Sequence, residues 1–174
     1  VEGSSAQLLI EAGKRVHLTS YVFEKPPKPP DFCMALRKYL DNGVVEKAQQ
    51  YEFERIVETT VKNRGQAYRL IVELFGEGNI ILVDAENRIL HALAYRRMRD
   101  RNILKGEVFV YPPSRGENPR NVTRENFDEI RSLGQIDVAR GLTRFLSIGG
   151  FYAEEILLRA GVDKKIHCAS LSDS

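Results

Sequence analysis

The stretch Leu70-Ile71-Val72-Glu73-Leu74-Phe75-Gly76-Glu77-Gly78-Asn79-Ile80-Ile81-Leu82-Val83-Asp84 decides the fold class. Two apolar, β-branched runs flank the break Gly76-Glu77-Gly78. Runs of this length and composition read as strands, and the glycines as turn chemistry. The prediction is a strand from Tyr68 to Leu74 and another from Asn79 to Val83. Working outward, Arg55 to Val61, Ile89 to Tyr95 and Glu107 to Tyr111 are further strand candidates. Asn63-Arg64-Gly65 and Asp84 through Asn87 are breaks between them. Upstream, Leu8-Leu9-Ile10 and Val16-His17-Leu18-Thr19 flank Ala12-Gly13, a hairpin signal. Pro26-Pro27-Lys28-Pro29-Pro30 reads as an extended lead-in. Asp31 stands where an N-cap belongs, and Phe32, Ala35, Leu36, Tyr39 and Leu40 follow at helical spacing until Asn42-Gly43. Five short strands plus a hairpin predict a sandwich or barrel-like sheet, with one amphipathic helix on or beside it.

Past Pro112-Pro113 the pattern changes. Residues 114–122 read as a linker, and residues 123–174 as a small helical module. Thr123 can cap Arg124 to Leu133, with Gly134 as the stop; Asp137 can cap Val138 to Leu146. Gly149-Gly150 breaks the chain before Phe151 to Ala160, which Gly161 ends. The class is therefore α+β: a sheet domain over residues 1–113, then helices.

The chain has 174 residues, 43% hydrophobic and 29% charged, enough for a sizeable core. No apolar run approaches the ~18 residues of a membrane span. The two cysteines, Cys33 and Cys168, exclude a disulfide framework and a four-cysteine zinc site, and point to a reducing compartment. No secretory signal is visible. Net charge is +2, unevenly spread: residues 88–124 carry nine basic and three acidic side chains, and both flanks are mildly acidic. Such a segment can meet phosphates, or can simply be a solvated surface.

Candidate sites are few. His17, His91 and His167 lack partners at metal-ligand spacing, so no metal site and no cofactor is expected. Gly76-Glu77-Gly78 precedes a strand and is no dinucleotide fingerprint. Glu54-Arg55 adjoins a β-branched run; it is either a pair of solvated strand-start charges or an Arg that meets phosphate, held by a carboxylate. Glu73, Leu74 and Phe75 are either an ordinary strand end or a docking edge whose Phe stacks on a base. Gly149-Gly150 is either a tight corner or a break that bares backbone N–H groups at a helix start, where anions bind.

Several motifs together carry a resemblance. Arg15-Val16-His17-Leu18-Thr19, Pro29-Pro30-Asp31-Phe32-Cys33-Met34-Ala35-Leu36-Arg37-Lys38-Tyr39-Leu40, Phe53-Glu54-Arg55-Ile56-Val57, the 70–84 stretch, and Gly149-Gly150-Phe151-Tyr152-Ala153-Glu154-Glu155-Ile156 through Lys164 occur in that order. They resemble the N-terminal domain of the NFACT family, whose members include ribosome-associated quality-control factors and proteins with an older fibronectin-binding name. Gly106 through Pro113 is most similar to archaeal-type members. The family's first helix and strand, its coiled coil and its C-terminal RNA-binding domain are not matched, so a fragment of a larger protein is expected.

The resemblance implies a fold like the N-terminal domain of formamidopyrimidine-DNA glycosylases, followed by a helix-hairpin-helix or helix-two-turn-helix-like module. It implies a cytoplasmic, non-enzymatic role. The partners would be tRNA and a large ribosomal subunit bearing peptidyl-tRNA, during template-free C-terminal tailing. It places the tRNA-engaging residues at Glu54, Arg55, Glu73, Leu74 and Phe75; Glu54 stands where the family has Asp. Arg37, Lys38, Arg96, Arg97, Arg99, Gly149 and Gly150 are candidate backbone contacts. A DNA-repair glycosylase and a matrix-binding adhesin are the alternatives.

Overall fold

The computed structural model describes residues 5–114 and 116–171. Arg115, one of the nine central basic residues, lies outside the described residues, as do 1–4 of the expected sheet domain and 172–174 of the helical module. The chain divides into two compact units. One takes the chain up to Tyr51 and resumes at Arg55–Pro112; the other takes Glu52–Glu54 and the chain from Pro113 on.

The first unit is built on one antiparallel meander: β3 (Val44–Gln50), β4 (Ile56–Asn63), β5 (Gln66–Glu73), β6 (Asn79–Val83) and β7 (Ile89–Ala92), each hydrogen-bonded to its neighbour in sequence. Two short hairpins stand apart from it: β1 (Gln7–Glu11) with β2 (Arg15–Thr19), and β8 (Arg96–Arg97) with β9 (Asn102–Ile103). The expected barrel is not formed. Closure would require β3 to pair with β7, and β3 is an edge strand with every residue exposed.

The central strands are apolar without alternation because the sheet is covered on both faces. Successive side chains point to opposite faces. Ile56, Ile71, Ile81, Val83 and Ile89 therefore join Ile103 and Phe109 in one cluster. Leu70, Val72, Ile80 and Leu82 form the other, covered by Ile10 of β1 and by Phe32, Leu36, Tyr39 and Leu40 of α1 (Asp31–Leu40).

Three local expectations need correction. Asp31 is not the N-cap: Pro30 is, with extended backbone, and its carbonyl accepts the Met34 N–H at 3.1 Å. Asp31 sits inside the first turn, where its negative charge complements the helix dipole. Glu107 to Tyr111 is not a strand. It makes a single antiparallel bridge, Arg88 to Val108, before Phe109 turns inward. β3, β8 and β9 were not expected, because exposure or brevity removes the alternating signature.

Asn79 is almost fully buried at the start of β6. Its Nδ2 donates to Ala94 O (2.8 Å), and its Oδ1 accepts from the N–H groups of Ala94 and Ile80 (3.0 Å each). The β1–β2 turn docks on the β5–β6 turn by backbone contact. A Cβ on Gly78 (φ +68) would lie 1.8 Å from the Gly13 nitrogen.

In the second unit, Thr123 caps as expected, its Oγ1 accepting the Asn126 N–H at 3.2 Å. The following helix is shorter than expected: α2 (Arg124–Asp128) passes into a 3-10 helix, Glu129–Leu133, which Gly134 (φ +66) ends. α3 (Val138–Phe145) begins at Asp137 without a side-chain cap; the Val138 N–H donates instead to Ile166 O at 2.8 Å. α4 (Gly150–Ala160) stops at left-handed Gly161. Ile130, Val138, Leu142, Leu146, Ala153, Leu157 and Cys168 form its core.

Candidate nucleic-acid interface

Arg55 enters β4 with its side chain exposed. The Leu74 N–H donates to the Arg55 carbonyl at 2.8 Å, one rung beyond the paired residues Ile56 and Glu73. Antiparallel pairing thus brings Arg55 and the 73–75 segment to one end of the sheet. Leu74 and Phe75 are half-buried there, Leu74 against the Leu70–Val72 cluster and Phe75 against the Ile56–Ile71 cluster.

Glu73 lies beneath them. Its carboxylate is buried and accepts from Arg101 Nη1 at 2.6 Å; the two side chains are 5% and 4% exposed. Its carbonyl accepts the Gly13 N–H at 3.0 Å. Glu73 therefore holds the strand end from inside, while Arg55 is the charged group that faces solvent.

The basic candidates fall in separate places. Arg37 and Lys38 are exposed on the last turn of α1, and Lys38 Nζ lies 5.1 Å from the Tyr39 ring centre. That end of α1 is anchored by Asn63 Nδ2, which donates to Tyr39 O and Asp41 O (2.8 and 3.1 Å). Asn63 is the far end of β4 from Arg55, roughly 26 Å along the strand at its usual rise. Arg96 is half-buried and pairs with Glu77 at 3.1 Å; Arg97 and Arg99 are exposed on the β8–β9 hairpin.

The remaining candidates belong to the second unit. Glu54 Oε1 accepts from Ser114 Oγ at 3.2 Å and lines a polar cavity of about 370 Å³ with Glu52, Glu117, Asn118, Asn121 and Ser147. Arg120 lies over the Phe53 ring, 5.6 Å from its centre. Gly149 and Gly150 are exposed, α4 starts without a side-chain cap, and Phe151 and Tyr152 beside them are exposed as well.

Arg101 and Glu77 were missed by sequence reasoning. The available signal was small: Arg101 stands two residues before Ile103, so a strand reading would have put both on one face. Burial, then nearby Lys105 and Lys38, holds the His91 imidazole below the ordinary range. Among the described residues, no group of three or more His, Cys, Asp or Glu side chains is placed to hold a metal ion. No helix among them is long and apolar enough to cross a membrane.

Guanidinium groups on a sheet end and on a hairpin are suited to phosphate, whose charge they neutralise and whose oxygens accept their fork. The family model for NFACT N-terminal and middle domains matches residues 1–174. The chain is similar to the archaeal Rqc2 homolog aRqcH of Methanocaldococcus jannaschii, 41% identical over 171 residues, covering 94% of this chain and 26% of that protein. It is similar to the Rqc2 homolog RqcH of Bacillus subtilis, 32% identical, covering 95% and 32%. It is 40% identical to the human ribosome quality control complex subunit NEMF over 172 residues, covering 92% and 16%. The chain thus spans about a third or less of these relatives. Among solved structures, the N-terminal part of the fibronectin/fibrinogen-binding protein of Streptococcus suis matches with a TM-score of 0.77 at 32% identity, covering 94% of this chain and 67% of that one.

Proposed function

This chain belongs to the NFACT family, and we propose that it is the tRNA- and large-ribosomal-subunit-binding module of a ribosome-associated quality-control factor. It acts by binding, in the cytoplasm; peptidyl transfer during C-terminal tailing is left to the ribosome, which bears the peptidyl-tRNA. The observation that carries the reading is the Leu74-to-Arg55 hydrogen bond, which sets two separate motif segments side by side and leaves the Arg55 guanidinium exposed. The quality-control names of the archaeal and human relatives support it. On the same reading, the first unit is a counterpart of the formamidopyrimidine-DNA glycosylase N-terminal domain, and α3 with α4 a helix-hairpin-helix-like element. The short Leu146–Gly149 connection and the bare glycine start of α4 support the latter.

The test is binding of the purified chain to deacylated tRNA and to isolated large subunits at two salt concentrations, beside Arg55→Ala. Binding should weaken steeply with salt, because each neutralised phosphate releases counterions. Arg55→Ala should lose about tenfold at low salt, the worth of one charge-assisted contact. No binding to either target at low salt would refute the reading. The name of the Streptococcus suis structure favours a second reading, a matrix-protein ligand; saturable binding to fibronectin with none to tRNA would establish it.

A further inference from the structure

We propose that Arg101 is a positioning residue: its buried pair with Glu73 fixes the basic β8–β9 hairpin to the end of the sheet where Glu73 pairs with Ile56, so that Arg97 and Arg99 engage one polyanionic strand together. The inference rests on the RNA-binding reading and names the device that assembles that surface. The hairpin has two paired residues per strand, Arg96 with Ile103 and Arg97 with Asn102. A ribbon so short does not hold its own position in water, so its placement comes from what ties it down. Ile103 is buried in the core cluster, and two ion pairs add to that hold, Arg101 to Glu73 and Arg96 to Glu77, bracketing Leu74 through Gly76. Glu77 is 86% exposed, so its pair contributes little. The Glu73 pair is the discriminating one.

Stability does not explain that pair. A buried ion pair loses its hydration on both sides, and well-packed apolar residues of the same volume serve as well or better. Here the cost is raised further, because the Arg101 Nε is buried with no hydrogen-bond partner among the described residues. What a charge pair supplies and an apolar pair does not is uniqueness. An apolar contact survives a slip of one residue, whereas a guanidinium displaced from its carboxylate is left buried and uncompensated. Arg101 Nη1 also donates to Val110 O at 3.3 Å, fixing the fork a second time. Met98, between Arg97 and Arg99, packs against the same core cluster as Phe75. Arg97 and Arg99 remain exposed and make no ion pair among the described residues.

The decisive variant is the double substitution Glu73→Leu with Arg101→Met, which keeps volume and removes the charge pair. Deacylated tRNA is the probe, and the readout is the slope of log K against log salt concentration, which counts phosphate contacts. The double variant should melt at or above the wild-type temperature, yet bind with a slope smaller by about two. Adding Arg97→Ala and Arg99→Ala to it should then change the slope no further, although the same two substitutions lower it in the wild type. An unchanged slope in the double variant, with the wild type still sensitive to Arg97 and Arg99, would overturn the positioning role and leave the function standing. A wild type that binds no tRNA at any salt would overturn the function and this inference with it. Should the double variant unfold, Glu73→Gln keeps an acceptor oxygen and should lower the slope in the same direction; a wild-type slope there would count against the proposal equally.

Discussion

The Leu74 N–H donates to the carbonyl oxygen of Arg55 at 2.8 Å, joining residues nineteen apart in the chain by backbone alone. The bond leaves the Arg55 side chain free of the task of holding the strand end together. Arg55→Ala should therefore leave unfolding free energy within about 0.5 kcal/mol of wild type, as exposed substitutions do. The same variant should lower the salt slope of tRNA binding by about one. Denaturant unfolding beside binding separates the two; a large stability loss would show that Arg55 is a structural residue.

Gly78 should be intolerant of any side chain. A Cβ there would lie 1.8 Å from Gly13 N and 2.3 Å from Ala12 C, and φ is +68. Both neighbours are backbone, so the β1–β2 hairpin must move. Gly78→Ala should cost about 2–4 kcal/mol. Gly65→Ala is the control, with φ +79 and open space around it; it carries only the left-handed backbone penalty, about 1–2 kcal/mol. Equal losses in urea unfolding would mean that the hairpin contact contributes nothing.

Asn79→Ala should cost about 2–4 kcal/mol, because it strands the Ala94 N–H and carbonyl and the Ile80 N–H near a buried side chain. Asn79→Asp removes the donor and adds a buried charge: the carboxylate keeps the two accepted bonds and faces Ala94 O with a lone pair. Thermal unfolding of both should place Asp below wild type; a neutral Asp variant would show that the Nδ2 contact is dispensable.

Tyr111 should resist ionisation. Burial first, then the hydrogen bond to Glu58 and its charge, push the phenol well above the ordinary tyrosine range. The folded pKa is raised, so this contribution to stability is fully present below the unfolded value near 10. It is lost as pH rises beyond that value toward the folded one. Part of the tyrosinate absorbance should lag until alkaline unfolding, and Tyr111→Phe should remove that part. A titration curve that Tyr111→Phe leaves unchanged in shape would contradict it.

In the helical unit, Gly141 and Cys168 should couple. A Cβ on Gly141 would lie 2.3 Å from the Cys168 Sγ and 3.4 Å from Ile130 Cγ1. Gly141→Ala should destabilise by about 2 kcal/mol through overpacking, and Cys168→Ala should recover part of it by vacating the sulfur's volume. A double-mutant cycle with a coupling below about 0.5 kcal/mol would show that α3 shifts freely instead. Burial also raises the Cys168 thiol pKa, so this thiol should be inert to alkylation in the folded chain.

The strands that carry the core were legible because the sheet is covered on both faces. Asn79–Val83 is buried throughout, and a run without alternation between turn residues is what such a strand looks like. β3 was illegible for the converse reason. Its Val44 and Val45 are 66% and 62% exposed, so its sequence answers to no core. Glu107 to Tyr111 carries strand-forming residues, but its partner strand accommodates one bridge, and the Tyr111 hydroxyl leaves to donate to Glu58.

By itself the sequence determined the α+β class, the strand core from Ile56 to Ala92, the Thr123 cap and the glycine stops at Gly134 and Gly161, and membership of a family. Only the tertiary structure decided that Arg55 faces solvent while Glu73 is buried, that Glu73 answers Arg101, and that the basic candidates lie on separate elements. The physical reason is one of range. Turn, cap and periodicity signals act within a few residues, where φ/ψ preferences and side-chain spacing are set. Burial and ion pairing across 28 positions depend on which faces meet once the strands have paired.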